Sequence, residues 1–140
     1  MLKNVLISAF TAAADAAKRA GRLNYDQLPA FTVERPANVT FGDQSVNLAM
    51  VLASAVKMPP RQVAQVLVDH VQLPENLVER IEIAGPGFIN LYLQPAWLHE
   101  TLLEIHRLGD AYGCSNLGQG KKVLVEFVSA NPNGPLSIPH

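Results

Sequence analysis

With 140 residues, 49% of them apolar and 16% charged, the chain has the make-up of about one globular domain with a buried core, which excludes a disordered segment. A net charge of −1 excludes a chain that holds nucleic acid by overall charge. The charge is nonetheless uneven: residues 1–61 carry seven Lys/Arg against four Asp/Glu and residues 62–120 two against seven, so a polyanion would meet the first part rather than the acidic middle. Cys114 is the one cysteine, which excludes an internal disulfide and a thiolate zinc site and fits a reducing compartment.

In chain order, Leu2, Val5, Leu6, Ala9, Phe10, Ala13, Ala16, Ala17 and Ala20 recur at helical spacing, and Gly21 sits where a C-terminal cap belongs. Lys3 followed by an apolar run imitates a secretion signal. The run Val5–Phe10 is too short for one, however, and the helical pattern continues through Lys18 and Arg19, so the segment reads as a helix of a cytoplasmic protein. "FTVERP" alternates Phe31 and Val33 against polar neighbours, and Pro36 confines it to a sheet edge or strand end. Phe41-Gly42-Asp43 predicts a turn with Asp43 as N-cap of a helix from about Ser45 to Lys57. Pro59-Pro60 opens a further helix through Val63, Val66, Leu67 and His70.

"RIEIAGPGFINLYLQ" predicts a hairpin: Ile81 and Ile83 alternate with Glu82, Gly85-Pro86-Gly87 turns, and Phe88 to Gln94 returns. Pro95 starts a helix with Leu98, Leu102, Ile105 and Leu108 on one stripe, ended by Gly109. Asp110 to Lys122 is rich in turn residues and marks a boundary. Beyond it, Val123–Val128 is apolar except at Glu126, which suits a strand covered on both faces in a parallel sheet. No stretch is long enough to cross a membrane.

Chemistry could sit in two places. Alternation in the second hairpin strand puts Ile89, Leu91 and Leu93 on a core face and Phe88, Asn90 and Tyr92 on the other. Two aromatics flanking a carboxamide suit the reading of an unstacked base, by stacking on a ring and bonding to an amide. The residues alone favour the plainer alternative, in which Phe88 and Tyr92 pack against a neighbouring helix. At the C-terminus, a buried strand that ends in a turn is where open α/β sheets hold ligands, and Glu126, Ser129 and Asn131 could bond a small polar one there; an ordinary strand end is the alternative. His70, His99, His106 and His140 lack metal-ligand spacing, so no metal is predicted.

Three stretches together, "GDQSVNLAM", "IAGPGFINLYLQPAWL" and "VLVEFVSANPNGPLSIPH", resemble the N-terminal region of bacterial arginyl-tRNA synthetases, and the likeness runs from the first helix to His140. The resemblance implies an α+β fold: a small antiparallel sheet packed against several helices at residues 1–109, a linker at 110–122, and at 123–140 the first strand and signature loop of a class I Rossmann-like catalytic domain. It implies that the first domain grips the D-loop corner of tRNA, with Phe88 stacking on an exposed base and Asn90 bonding to it, which reverses the reading from residues alone.

It further implies that Glu126, Ser129 and Asn131 line an arginine site and that His140 belongs to a signature that packs against ATP during adenylate formation. Ser137 and Pro139 depart from that signature, where the family has histidine and glycine: serine cannot act as a cationic donor to phosphate, and proline puts a ring where the backbone should be approached. The parent would be an ATP-using arginine–tRNA ligase with tRNA, arginine and ATP as partners. The 140-residue chain is expected to be inactive alone, with no bound cofactor and an oligomeric state left open. Two rivals remain at this point: a free-standing, non-enzymatic tRNA-elbow binder derived from the same domain, and a protein-interaction module without an RNA role, which would fit the near-neutral charge.

Overall fold

The computed structural model describes residues 2–125 and 134–135, and the chain divides into two units, Met1–Leu103 and Glu104–His140. The first unit opens with helix α1 (Leu2–Arg19), which buries Leu6, Phe10, Ala13, Ala14 and Ala17 at the expected spacing. Its end is a Schellman cap: the Gly21 N–H donates to the Lys18 carbonyl (3.0 Å) and the Arg22 N–H to the Ala17 carbonyl (2.9 Å). Just beyond, the buried Tyr25 hydroxyl donates to Asp15 Oδ1 at 3.1 Å, and burial together with that bond pushes the phenol up to about 12.

Strand β1 (Val33–Glu34) is a two-residue edge strand, kept short by Pro36. It is followed by a 3-10 turn (Val39–Phe41), strand β2 (Gln44–Val46) and helix α2 (Leu48–Val56). This corrects the expectation of a helix from Ser45 capped by Asp43. Asp43 serves the sheet instead: its N–H donates to the Leu91 carbonyl (2.9 Å), and its Oδ2 accepts from the Leu93 N–H (2.8 Å). Asn47 is the cap residue of α2.

Helix α3 (Pro60–His70) buries Val63, Ala64, Val66 and Leu67, and proline occupies its first turn, where the missing N–H is no loss. The Nδ1 of His70 lies 2.8 Å from the Val66 carbonyl oxygen, so that nitrogen carries a proton and donates it within the helix. The hairpin β3 (Val78–Ala84) and β4 (Phe88–Leu93) completes an antiparallel sheet in the order β1-β2-β4-β3. Its register sets Val46 against Ile89, Ser45 and Glu82 on either side of Asn90, and Ala84 against Phe88.

Val33, Val46, Ile89 and Leu91 from the sheet join the apolar stripes of α1, α2 and α3 in one core, so these helices cover one face of the sheet. The hairpin turn is anchored on α3. The Arg61 Nη1 donates to the Gly85 carbonyl at 2.8 Å, and Gly87, at φ +149°, passes so close that a Cβ there would sit 2.9 Å from Pro60.

Helix α4 (Ala96–Leu108) forms where the apolar stripe predicts it, yet it buries no side chain, and Leu102 is 62% exposed. The division between the units falls within this helix. In the second unit, Arg107 holds Glu104 in a two-pronged pair (2.7 and 2.9 Å), and this hydrogen-bonded guanidinium keeps the carboxylate below its usual range. A 3-10 turn, Gly109–Ala111, follows. Of the apolar run expected as a strand, Val123, Leu124 and Val125 carry no strand structure and are exposed; residues 126–128 lie outside the described residues. Among the described residues, no helix is long and apolar enough to cross a membrane.

Candidate functional site

The uncovered face of the sheet is not uniform along β4. At one end the Tyr92 ring is occupied. The Arg80 guanidinium lies 3.6 Å above the ring centroid, and Arg80 Nε pairs with Glu82 Oε1 at 3.0 Å. The Tyr92 hydroxyl lies 2.9 Å from both the Thr40 carbonyl oxygen and Glu82 Oε2, and donates its one proton to either acceptor. Tyr92 is therefore a brace between β4, β3 and the 3-10 turn. The expected pair of free aromatics flanking a carboxamide is corrected to one, because cation–π stacking covers the second ring.

At the other end, Phe88 is 38% exposed and lines a cleft of about 630 Å³. The floor consists of Phe88 and Asn90 from β4, Ser45 from β2 and Asn47, the cap residue of α2. One wall is the segment around β1 with Thr32 and Glu34–Ala37, joined by Phe41 from the 3-10 turn; the opposite wall is the hairpin turn, Ala84–Pro86. Phe88 thus keeps part of its ring open to the cleft.

Each wall is held. The 3-10 turn is capped by Asn38, whose Oδ1 accepts from the Thr40 N–H (2.9 Å) and the Thr40 hydroxyl (2.8 Å). Gly42, at φ +91°, lets this turn lie against β4, since a Cβ there would come within 2.7 Å of the Leu91 carbonyl oxygen. Phe41 remains 51% exposed on that fixed turn. The β1 wall is tied to the cap of α2 by two bonds: Thr32 N–H donates to Asn47 Oδ1 (2.8 Å), and Asn47 N–H donates to the Thr32 carbonyl (3.3 Å).

Asn90 is 3% exposed, the one buried polar residue of the described chain. The side-chain hydrogen bonds among the described residues do not include its carboxamide, and the residue lines the cleft. A ring face, two carboxamides and a hydroxyl on the floor, with the exposed Arg35 cation at the rim, suit a flat heteroaromatic group with a polar edge and a nearby phosphate.

Phe88 and Asn90, singled out in the sequence, line this cleft together with Ser45, Asn47, Phe41 and Arg35, which the sequence did not single out. The alternation of Ser45 and Asn47 was the available signal, hidden because the segment reads equally well as the start of a helix. Glu126, Ser129, Asn131, Ser137, Pro139 and His140 lie outside the described residues.

An antiparallel sheet with three helices on one face and an aromatic, amide-lined cleft on the other defines a small α+β module. The model of the arginyl tRNA synthetase N-terminal domain matches residues 4–93. The chain belongs to this domain family. Along its sequence it is 48% identical over 136 residues to the arginine–tRNA ligase of Moorella thermoacetica, covering 97% of this chain and 24% of that protein. It is 53% identical over 111 residues to the arginine–tRNA ligase of Desulforudis audaxviator, covering 79% of this chain and 20% of the relative. The fold is similar to that of Thermus thermophilus arginyl-tRNA synthetase, with a TM-score of 0.54 and 33% identity over 73% of this chain and 16% of that one. It is also similar in fold to the Plasmodium falciparum arginyl-tRNA synthetase, with a TM-score of 0.54 at 17% identity over 72% of this chain and 17% of that one. The chain therefore spans about a quarter of the length of the curated relatives it matches.

Proposed function

We propose that this chain is the N-terminal, tRNA-binding part of an arginine–tRNA ligase acting in the cytoplasm, and that its cleft takes an unstacked base from the D-loop corner of tRNA. Family membership supports the first half of this reading. The observation that carries the second is the pairing of an exposed Phe88 with the buried Asn90 amide on the floor of one cleft. Phe88 offers a stacking surface that any base can use, and Asn90 offers both a donor and an acceptor to the base edge. Burial raises the value of the Asn90 amide, since a mismatched edge would leave it desolvated and unpaired. Arg35 at the rim suits the phosphate backbone and adds affinity without sequence preference.

In the parent enzyme the reaction is the ATP-dependent esterification of arginine to tRNA. Residues 123–140 are proposed to begin its Rossmann-like catalytic domain after a linker at 110–122. Glu126, Ser129 and Asn131 are assigned to the arginine site, and His140 to the ATP signature from which Ser137 and Pro139 depart. The 140 residues alone are proposed not to carry out arginine-dependent ATP–pyrophosphate exchange.

A tRNA titration at fixed salt tests the cleft. Phe88→Ala is expected to weaken binding by about 1–3 kcal/mol, the range for a lost base–aromatic stack. Asn90→Ala is expected to weaken discrimination at one D-loop position more than overall affinity. Wild-type affinity in both variants removes the cleft from the reading.

A further inference from the structure

The cap residue of α2 has an unused option. Asparagine at a helix N-cap ordinarily turns its side-chain oxygen to a free N–H of the first turn, which stabilises the helix. Asn47 makes no such bond. Its backbone carbonyl accepts from the Met50 and Val51 N–H groups instead, at 3.0 and 3.2 Å. Its side chain reaches across to the edge segment, where Oδ1 accepts the Thr32 N–H at 2.8 Å.

That bond fixes the amide's orientation. A backbone N–H can only donate, so the atom facing it must be the oxygen, and the NH₂ group is left on the other branch. The side-chain hydrogen bonds of the described residues give that NH₂ no partner, and Asn47 is half-buried on the floor of the cleft. It directly follows Val46, whose partner is Ile89, so the register carries Asn47 to the Phe88 end of the floor. Ser45 stands opposite Asn90 on the same face.

We infer that Asn47 is a specificity-determining residue of the cleft, donating from its NH₂ group to an acceptor, a ring nitrogen or a keto oxygen, on the edge of a base stacked on Phe88. This rests on the reading of the cleft as a base site. The division of labour differs from that of Asn90: Asn90 has both halves of its amide to offer, whereas Thr32 leaves Asn47 donors only. A base whose edge presents an amino group at that point would meet two donors face to face and be rejected.

Asn47→Asp in the full chain separates this role from a structural one. Aspartate still offers an oxygen to the Thr32 N–H and suits a helix N-cap, so the melting temperature is expected to stay at or above the wild-type value. It has no donor, and tRNA binding is expected to fall roughly tenfold. The probe is synthetic arginine-accepting tRNA, intact or with a single abasic site stepped through the D-loop. The read position is the one where the abasic change abolishes the effect of Phe88→Ala. On tRNA abasic there, wild type and Asn47→Asp are expected to bind equally.

Equal binding of intact tRNA by the two, while Phe88→Ala weakens it, overturns the inference and leaves the base site standing. An equal loss on intact and abasic tRNA also overturns it, since charge repulsion alone then accounts for the effect. No effect of Phe88→Ala overturns both readings. If Asn47→Asp does not fold, the question passes to the RNA. In an Asn90→Ala background, a phenyl group in place of the base keeps the stack and removes every acceptor. It is expected to bind several-fold more weakly than the natural base, and equal binding overturns the inference.

Discussion

The two faces of strand β4 are built from the same six residues and behave as different materials. Ile89 and Leu91 are wholly buried in the core with α1, α2 and α3, and Leu93 on the same face is buried too. Phe88, Asn90 and Tyr92 occupy the opposite face, and there the strand changes character along its length: Tyr92 is clamped by Arg80, Glu82 and Thr40, Asn90 is buried beside Ser45, and Phe88 stands open to the cleft. An aromatic ring left partly open on a well-braced strand forgoes part of the stabilisation of burial. The comparison teaches that the inner face sets stability, while the outer face divides between a brace at Tyr92 and an open ring at Phe88.

That contrast can be broken by substitution, and the inner face should give the largest effect. Leu91→Ala removes a fully buried side chain from the middle of the core and is expected to cost about 2–5 kcal/mol in denaturant unfolding. A loss below 1 kcal/mol would mean that the sheet and helices do not share one core. Next comes Gly87→Ala, which forces a Cβ to within 2.9 Å of Pro60 at a φ that side chains avoid. It is expected to cost about 1–3 kcal/mol and, because it shifts the turn that carries Phe88, to weaken tRNA binding as well.

Tyr92→Phe keeps the ring under Arg80 and deletes the hydroxyl, so a loss of about 0.5–1.5 kcal/mol is expected, with tRNA affinity little changed. A large affinity loss with full stability would make Tyr92 part of the binding surface rather than its brace. The smallest stability effect belongs to Phe88→Ala, within about 0.5 kcal/mol of wild type by thermal or denaturant melting. Substantial destabilisation there would show that Phe88 works as a core residue after all, and the two faces would lose their distinction.

The same distinction separates what was legible in the chain from what was not. Alternation along "GFINLYL" is a local property of the backbone, so the hairpin, its turn and the inner set of β4 could be read directly. Periodicity likewise gave α1 with its cap, α3 with its proline start, and α4. It could not say which α4 stripe finds a partner: α3 and α4 carry comparable apolar stripes, yet α3 buries Val63 and Leu67 completely while Leu102 on α4 is 62% exposed. A pattern records that a face is apolar, and burial needs a second surface supplied from elsewhere in the chain.

β2 shows the limit most clearly. Gln44-Ser45-Val46 has one apolar residue and no strand signature of its own, and Asp43 before it looks like a helix cap. It is a strand because β4, more than forty residues later, offers its edge, and because the Asp43 carboxylate and N–H are claimed by Leu93 and Leu91 of that strand. Sequence alone determined α1, α3, the hairpin and the inner face of β4, and picked out Phe88 and Asn90 as the residues to watch. Tertiary structure decided that Phe88 is open while Tyr92 is closed, and that Ser45 and Asn47 share their floor. Such facts rest on hydrogen bonds and cation–π contacts between residues distant in sequence, and no short window of the chain contains both partners.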